Sequence, residues 1–171
     1  MPEFILDTSG HIRNEAVSIR SGIAAAYHQW RDLDSFTQGY IEALFFTETE
    51  PGTTRETWDP EVHAALPGDV AFADLAPQAL ATIIADCARW QAASYALIEA
   101  CAEFSENLRP DNDDVWTRAG RDYWFTRNGH GVGFWEDDRW PAPQGHALDA
   151  ASKAAGSMDV YLGDDGKVHV T

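Results

Sequence analysis

"DYWFTRNGHGVGFW", residues 122–135, decides how the C-terminal third of the chain is read. Asn128-Gly129 is the dipeptide preferred at a two-residue hairpin turn, because both positions need positive φ. A turn centred there pairs Arg127 with His130, Phe125 with Val132 and Tyr123 with Phe134. One face then carries four large apolar side chains, as a half-buried sheet requires. The other face sets Trp124 opposite Gly133 and Thr126 opposite Gly131. Those glycines leave room for Trp124 to lie across the neighbouring strand. A phosphate-binding glycine loop leads from a strand into a helix N-terminus. Here the loop leads into a second expected strand, so phosphate binding is not expected. His130 stands beside a turn with no recognisable Ser or Cys nucleophile motif nearby. A structural or surface role suits it better than that of a catalytic base.

Further on, "DVYLGDDGKVHV", residues 159–170, predicts a second hairpin. A type I turn over Asp164-Asp165, with Gly166 left-handed, pairs Leu162 with Val168 and Val160 with Val170. The aspartates are explained by turn chemistry, since a calcium loop needs more widely spaced oxygen ligands and a terminal Glu. Between the hairpins, "GHALDAASKAAG", residues 145–156, predicts a short helix. Ala147, Leu148, Ala151 and Ala155 face the sheet, and Gly156 ends the helix. Residues 115–171 thus read as an antiparallel ββαββ unit.

Upstream, the pattern is helical. Leu80, Ile83, Ile84, Cys87, Trp90, Leu97, Ile98, Cys101 and Phe104 recur at helical spacing. Asp74 can cap this helix and Pro77 falls in its first turn. It ends near Leu108, before Pro110. At about 50 Å it is long for such a chain, which suggests a kink or two helices. A second helix begins at Asp34 or Ser35 and shares Phe36, Tyr40, Ile41, Leu44 and Phe45 on one face. Residues 47–74 form a connection with seven acids and one arginine, expected to be a solvated loop. "RPDNDD", residues 109–114, is a polar break, and residues 1–33 have weak periodicity. The expected fold class is α+β in a single domain over 1–171. A mostly helical part, 1–108, contains one long helix, and the ββαββ part follows.

Composition bounds the chemistry. The 171 residues carry 28 acids against 12 bases, a formal charge of −16. That disfavours direct binding to nucleic-acid phosphates and favours a basic partner. Cys87 and Cys101 fall on the apolar stripe of one helix, roughly 21 Å apart, beyond disulfide reach. They read as reduced core thiols in a cytoplasmic protein. No metal-ligand spacing, cofactor motif or membrane-length apolar run is present, and "MPEFILDTSG" does not resemble a signal peptide. No cofactor or metal is expected.

"WFTRNGHGVGFWEDD" followed by "DVYLGDDGKVHV" resembles an uncharacterised family common in bacteriophages and mobile elements. Its pattern is F-x-T-R-N-G-H-G-x-G-F-W-D, then D-x-Y-x-G-D-D-G-K. "DSFTQGYIEALFFT" and "FADLAPQALATIIADCARWQAA" are similar to it too, so the resemblance spans roughly residues 34–170. Glu136 stands where members have Asp, and "EDDRWPAPQ" replaces an expected Gly-rich connection. The resemblance implies a setting, a small acidic accessory protein, and no reaction or catalytic residue.

Two functions fit. The first is a non-enzymatic inhibitor of a basic host nucleic-acid-handling or defence protein or nucleoprotein complex, of the antirestriction or anti-CRISPR type. It would present carboxylates where that partner expects phosphates, as a nucleic-acid mimic. Its partner-binding residues would be Asp111, Asp113, Asp114, Glu136, Asp137 and Asp138. Trp124, Trp135 and Trp140 would supply apolar anchors. The alternative is a small enzyme or ligand-binding domain. It would use the Gly/Trp face of the 123–135 hairpin, with Arg127 and His130 handling an anion or a proton. The composition leaves a homodimer open.

Overall fold

The computed structural model describes residues 21–107, 114–136 and 138–171. Residues 1–20, the polar break at 108–113 and Asp137 lie outside the described residues. The class is mixed α and β, with helices dominating. Helices α1 (Ser21–Asp32), α2 (Ser35–Glu48), α3 (Pro77–Asn107), α4 (Val115–Arg127) and α5 (Gln144–Ala155) are joined by four short strands. Strands β1 (Thr49–Glu50) and β2 (Leu66–Pro67) pair in parallel; β3 (Val160–Leu162) and β4 (Val168–Val170) pair antiparallel. No helix among the described residues is long and apolar enough to cross a membrane.

The first expected hairpin does not form. Residues 115–127 are the helix α4, so the C-terminal part is helix, loop, helix, hairpin and not ββαββ. Local physics explains the correction. The Asp114 side chain caps α4 by accepting from the Thr117 amide at 2.9 Å. Val115, Ala119 and Tyr123 then bury at a spacing of four, on one helical face. Asn128-Gly129 ends the helix. Gly129 takes φ +73°, its amide donates to Thr126 O, and the His130 amide donates to Phe125 O. This is the Schellman arrangement, which needs the same left-handed glycine as a hairpin turn.

The described residues divide into two compact units, one of residues 21–33, 44–81 and 159–171, the other of residues 34–43, 82–107, 114–136 and 138–158. In the first unit, Trp30 of α1 meets Phe72 edge to face at 5.2 Å. The β3–β4 hairpin has the expected register, Val160 with Val170 and Leu162 with Val168, and Gly166 sits at φ +72°. Val168 bridges to Leu75, and its carbonyl accepts from the Ala76 amide at 2.9 Å. Residues 51–64 of the acidic connection are mostly exposed but pinned, whereas Leu66, Val70, Ala71 and Phe72 join the core, so the expected solvated loop holds only in part. Glu50 pairs with His63 at 2.7 Å, Arg55 with Asp74 at 2.5 Å, and the Trp58 indole donates to Ala65 O at 2.8 Å. Asp74 does not cap α3. Its carboxylate accepts from the Ala71 amide and closes the one-turn helix Phe72–Asp74.

The second unit holds the start of α2, most of α3, then α4 and α5. Asp34, not Ser35, caps α2 through the Thr37 amide at 2.7 Å. Helix α3 is continuous over 31 residues. Its stripe holds in part. Ile83, Cys87, Trp90, Ile98 and Cys101 are buried, whereas Ile84 is exposed. On α5 the buried face is Gly145, Leu148 and Ser152; Ala147 and Ala155 are exposed. Trp90 stacks on Tyr123 at 4.3 Å, on Phe36 at 5.5 Å and on Phe134 at 5.6 Å. Burying each such ring contributes roughly 2–3 kcal/mol. Helices α2 and α4 touch backbone to backbone. A Cβ on Gly120 would lie 1.9 Å from Phe36 O, and one on Gly39 would lie 2.0 Å from Thr117 O.

Candidate functional site

Two arrangements in the second unit concentrate polar chemistry. The first is buried. Arg127 Nη1 donates to Asp86 Oδ2 at 2.5 Å and to the Tyr40 hydroxyl at 3.1 Å, and Arg127 Nε donates to Gly156 O at 2.7 Å. The Tyr123 hydroxyl donates to the same Asp86 oxygen at 3.0 Å, and Arg89 holds the other at 2.6 Å. Burial pushes the Tyr40 and Tyr123 hydroxyls and the Cys87 thiol above their ordinary pKa values. These groups stay protonated at neutral pH. Cys87 is fully buried and a poor nucleophile in this state. The cluster is suited to tying α2, α3, α4 and the end of α5 together within this unit.

Next to it, the Trp140 indole donates to Asp122 Oδ2 at 2.6 Å, with both side chains buried. Burial raises the Asp122 carboxyl to about 6, against the Trp140 hydrogen bond, which lowers it. Phe134 lies edge to face on Trp140 at 4.9 Å, and its amide donates to Thr126 Oγ1 at 3.1 Å. So the segment after Gly129 does fold back, but onto a helix. Gly133, at φ +147°, packs on Thr126, where a Cβ would meet Oγ1 at 2.2 Å.

The expected site residues separate accordingly. Trp124 and Trp140 are 0% exposed, which corrects their expected role as surface anchors. Each has helical or loop neighbours in place of an open sheet face. Trp135 is 52% exposed and remains available. Asp114 and Asp138 are exposed. Glu136 is half-buried; it accepts from the Gly133 amide at 3.3 Å and faces Arg139 at 3.7 Å. Asp111, Asp113 and Asp137 lie outside the described residues. The alternative pocket is not assembled, since Arg127 is buried in its ion pair. His130 stacks beside Trp124 at 6.5 Å and meets Phe125 edge-on at 6.0 Å.

The second arrangement is a surface groove of about 310 Å³. Tyr95 and Trp116 give it aromatic walls over the buried Phe36, and Asp34, Asp114 and Gln91 border them. Tyr95 and Trp116 lie 5.1 Å apart with their planes 31° apart. The Trp116 indole donates to Glu99 Oε1 at 3.2 Å, which fixes the ring. Gln91 Nε2 donates to Asp34 Oδ2 at 3.3 Å. Asp34 and Asp114 are the N-caps of α2 and α4, so helix capping fixes where both carboxylates sit. An aromatic surface bordered by oriented carboxylates attracts a cation through ring quadrupoles and charge together.

Sequence reading found only Asp114 of this groove. Its residues come from the starts of α2 and α4 and the middle of α3, and no local motif joins them. One signal was present. Tyr95 is off the apolar stripe of α3, and it is 57% exposed. No family model, curated protein or solved structure matches the chain.

Proposed function

We propose that this chain is a non-enzymatic, acidic binding protein that engages a basic protein surface. The resemblance to phage and mobile-element proteins suggests the setting: a cytoplasmic accessory protein that inhibits a host nucleic-acid-handling or defence system. Antirestriction or anti-CRISPR proteins are the type. One observation carries the reading. The groove of Tyr95 and Trp116, lying over the buried Phe36, is aromatic and bordered by Asp34 and Asp114, in a chain of formal charge −16. The long-range field speeds encounter with a basic partner, and aromatic contacts supply the short-range affinity that exposed charges lack. Trp135, exposed as Asp138 is, offers a second anchor.

The test compares the tagged chain with a variant carrying Asp114→Asn, Glu136→Gln and Asp138→Asn. Both are used to capture proteins from a bacterial lysate at low and high salt. The expected result is a basic nuclease or defence subunit retained by the natural chain and released by salt or by the substitutions. Identical retention by both chains, or retention indifferent to salt, would overturn the proposal.

A further inference from the structure

We infer that the groove of Tyr95, Trp116, Asp34 and Asp114 is a receptor for one arginine side chain of a protein partner. The inference deepens the proposed function and rests on it for its biological meaning, though not for its chemistry.

Two opposing effects meet in the groove. The N-termini of α2 and α4 each contribute about half a positive charge, which favours an anion. Asp34 and Asp114 cap those termini and bring about two negative charges, so the sum stays near one negative charge before Glu99 is counted. Glu99, held on the Trp116 indole at 3.2 Å, adds another. No lysine or arginine lines the groove among the described residues. A cation is therefore the complement.

Geometry narrows the cation to a guanidinium. Tyr95 and Trp116, 5.1 Å apart and tilted by 31°, brace each other and leave an outer ring face on which one planar group can lie. A guanidinium can lie flat on a ring and still direct its edge donors at carboxylates. Asp34 spends Oδ1 on the Thr37 amide, and Oδ2 receives only a long 3.3 Å bond from Gln91. Asp114 likewise spends Oδ1 on the Thr117 amide, and Oδ2 receives a 3.2 Å bond from the Thr117 hydroxyl. Each carboxylate keeps acceptor capacity for a new donor, since an ionised carboxylate offers about four lone-pair sites. Lysine's compact ammonium presents no flat face and holds its water more tightly. A groove of about 310 Å³ is at the small end for ligand pockets, which suits one side chain more than an extended ligand.

The experiment is an NMR titration of the full chain with N-acetyl-arginine amide, N-acetyl-lysine amide, N-acetyl-citrulline amide and inorganic phosphate. It follows the Trp116 indole N–H, assigned through Trp116→Phe. The expected result is a saturable shift with the arginine amide, weaker by about tenfold for lysine and absent for citrulline. Asp114→Asn keeps the helix cap while removing the charge, and Tyr95→Ala alters an exposed ring, so both variants should fold. Each is expected to weaken arginine binding about tenfold. Equal binding of lysine or citrulline, a response to phosphate alone, or no saturable shift would each overturn the receptor. Arginine binding without salt-sensitive capture of a basic protein would sink the inhibitory function and leave the receptor standing. Capture without arginine binding would do the reverse.

Discussion

Gly129 and Gly166 have nearly the same backbone, φ +73° and +72°, yet they end different structures. Gly129 closes helix α4; Gly166 closes the turn between β3 and β4. A left-handed glycine announces that the chain changes direction. It says nothing about what came before it. The preceding residues decide. Before Gly129 stand an Asp cap and thirteen residues whose burial repeats at helical spacing. Before Gly166 stands Val160-Tyr161-Leu162, too short for a stable helix and alternating half-buried, exposed, half-buried.

The strongest way to break the helical end is at its last residue. Arg127→Met leaves Asp86 charged and buried without its main partner, and removing one member of such a pair costs about 3–5 kcal/mol. Urea unfolding should show that loss. Replacing both Arg127 and Asp86 by apolar residues should recover most of it. An equal loss in the double variant would show that the lost packing dominates and the charge does not.

Gly120→Ala comes next. It drives a methyl group into Phe36 O and should cost about 3 kcal/mol, with a fall in melting temperature. The hairpin has no matching backbone contact: nothing lies within 4 Å of a Cβ at Gly166, and one at Gly163 would meet only the side chains of Asp165 and His169.

Asp122 sharpens the contrast by pH. Its folded-state pKa, about 6, lies above the ordinary 3.8, so the folded form binds the proton more tightly. That contribution is fully present below about pH 4 and is lost as the pH rises through about 6. It amounts to about 3 kcal/mol at most. Relative to Asp122→Asn, the natural chain should therefore lose stability between those limits. A pH-independent difference between the two unfolding curves would contradict the burial argument.

The smallest effects test the two glycines directly. Gly129→Ala and Gly166→Ala should each cost about 1–2 kcal/mol, since both force a side chain into left-handed backbone. Hydrogen exchange should tell them apart. The first should free the amides of Gly129 and His130, and the second those of Gly163 and Gly166.

Much of this fold was legible in the residues. Part of the α3 stripe, a cap at Asp34 or Ser35, the 145–156 helix and the register of the last hairpin all rest on local spacing or turn chemistry. What stayed hidden was the nature of residues 115–127. Tyr123-Trp124-Phe125 suits a strand by propensity, and Asn128-Gly129 fits a hairpin turn or a helix end equally well. The deciding signals were Asp114 and the helical spacing of Val115, Ala119 and Tyr123, which become persuasive only when Gly120 is seen to meet another helix. The expected role of Trp124 failed for the same reason. A sheet face would have exposed Trp124, whereas a helix turned it inward. The groove was illegible because its walls come from three helices.

The contact of Gly39 and Gly120 has a consequence for how this sequence can drift. At an ordinary core contact, a larger side chain on one helix can be offset by a smaller one on the other. Here each missing Cβ faces a peptide carbonyl, which no substitution can shrink. The two positions are thus independently confined to glycine, and the pair fixes the sliding register of α2 against α4. Substitutions elsewhere in this unit can reshape the groove, but they must do so around two helix starts that stay where these glycines put them.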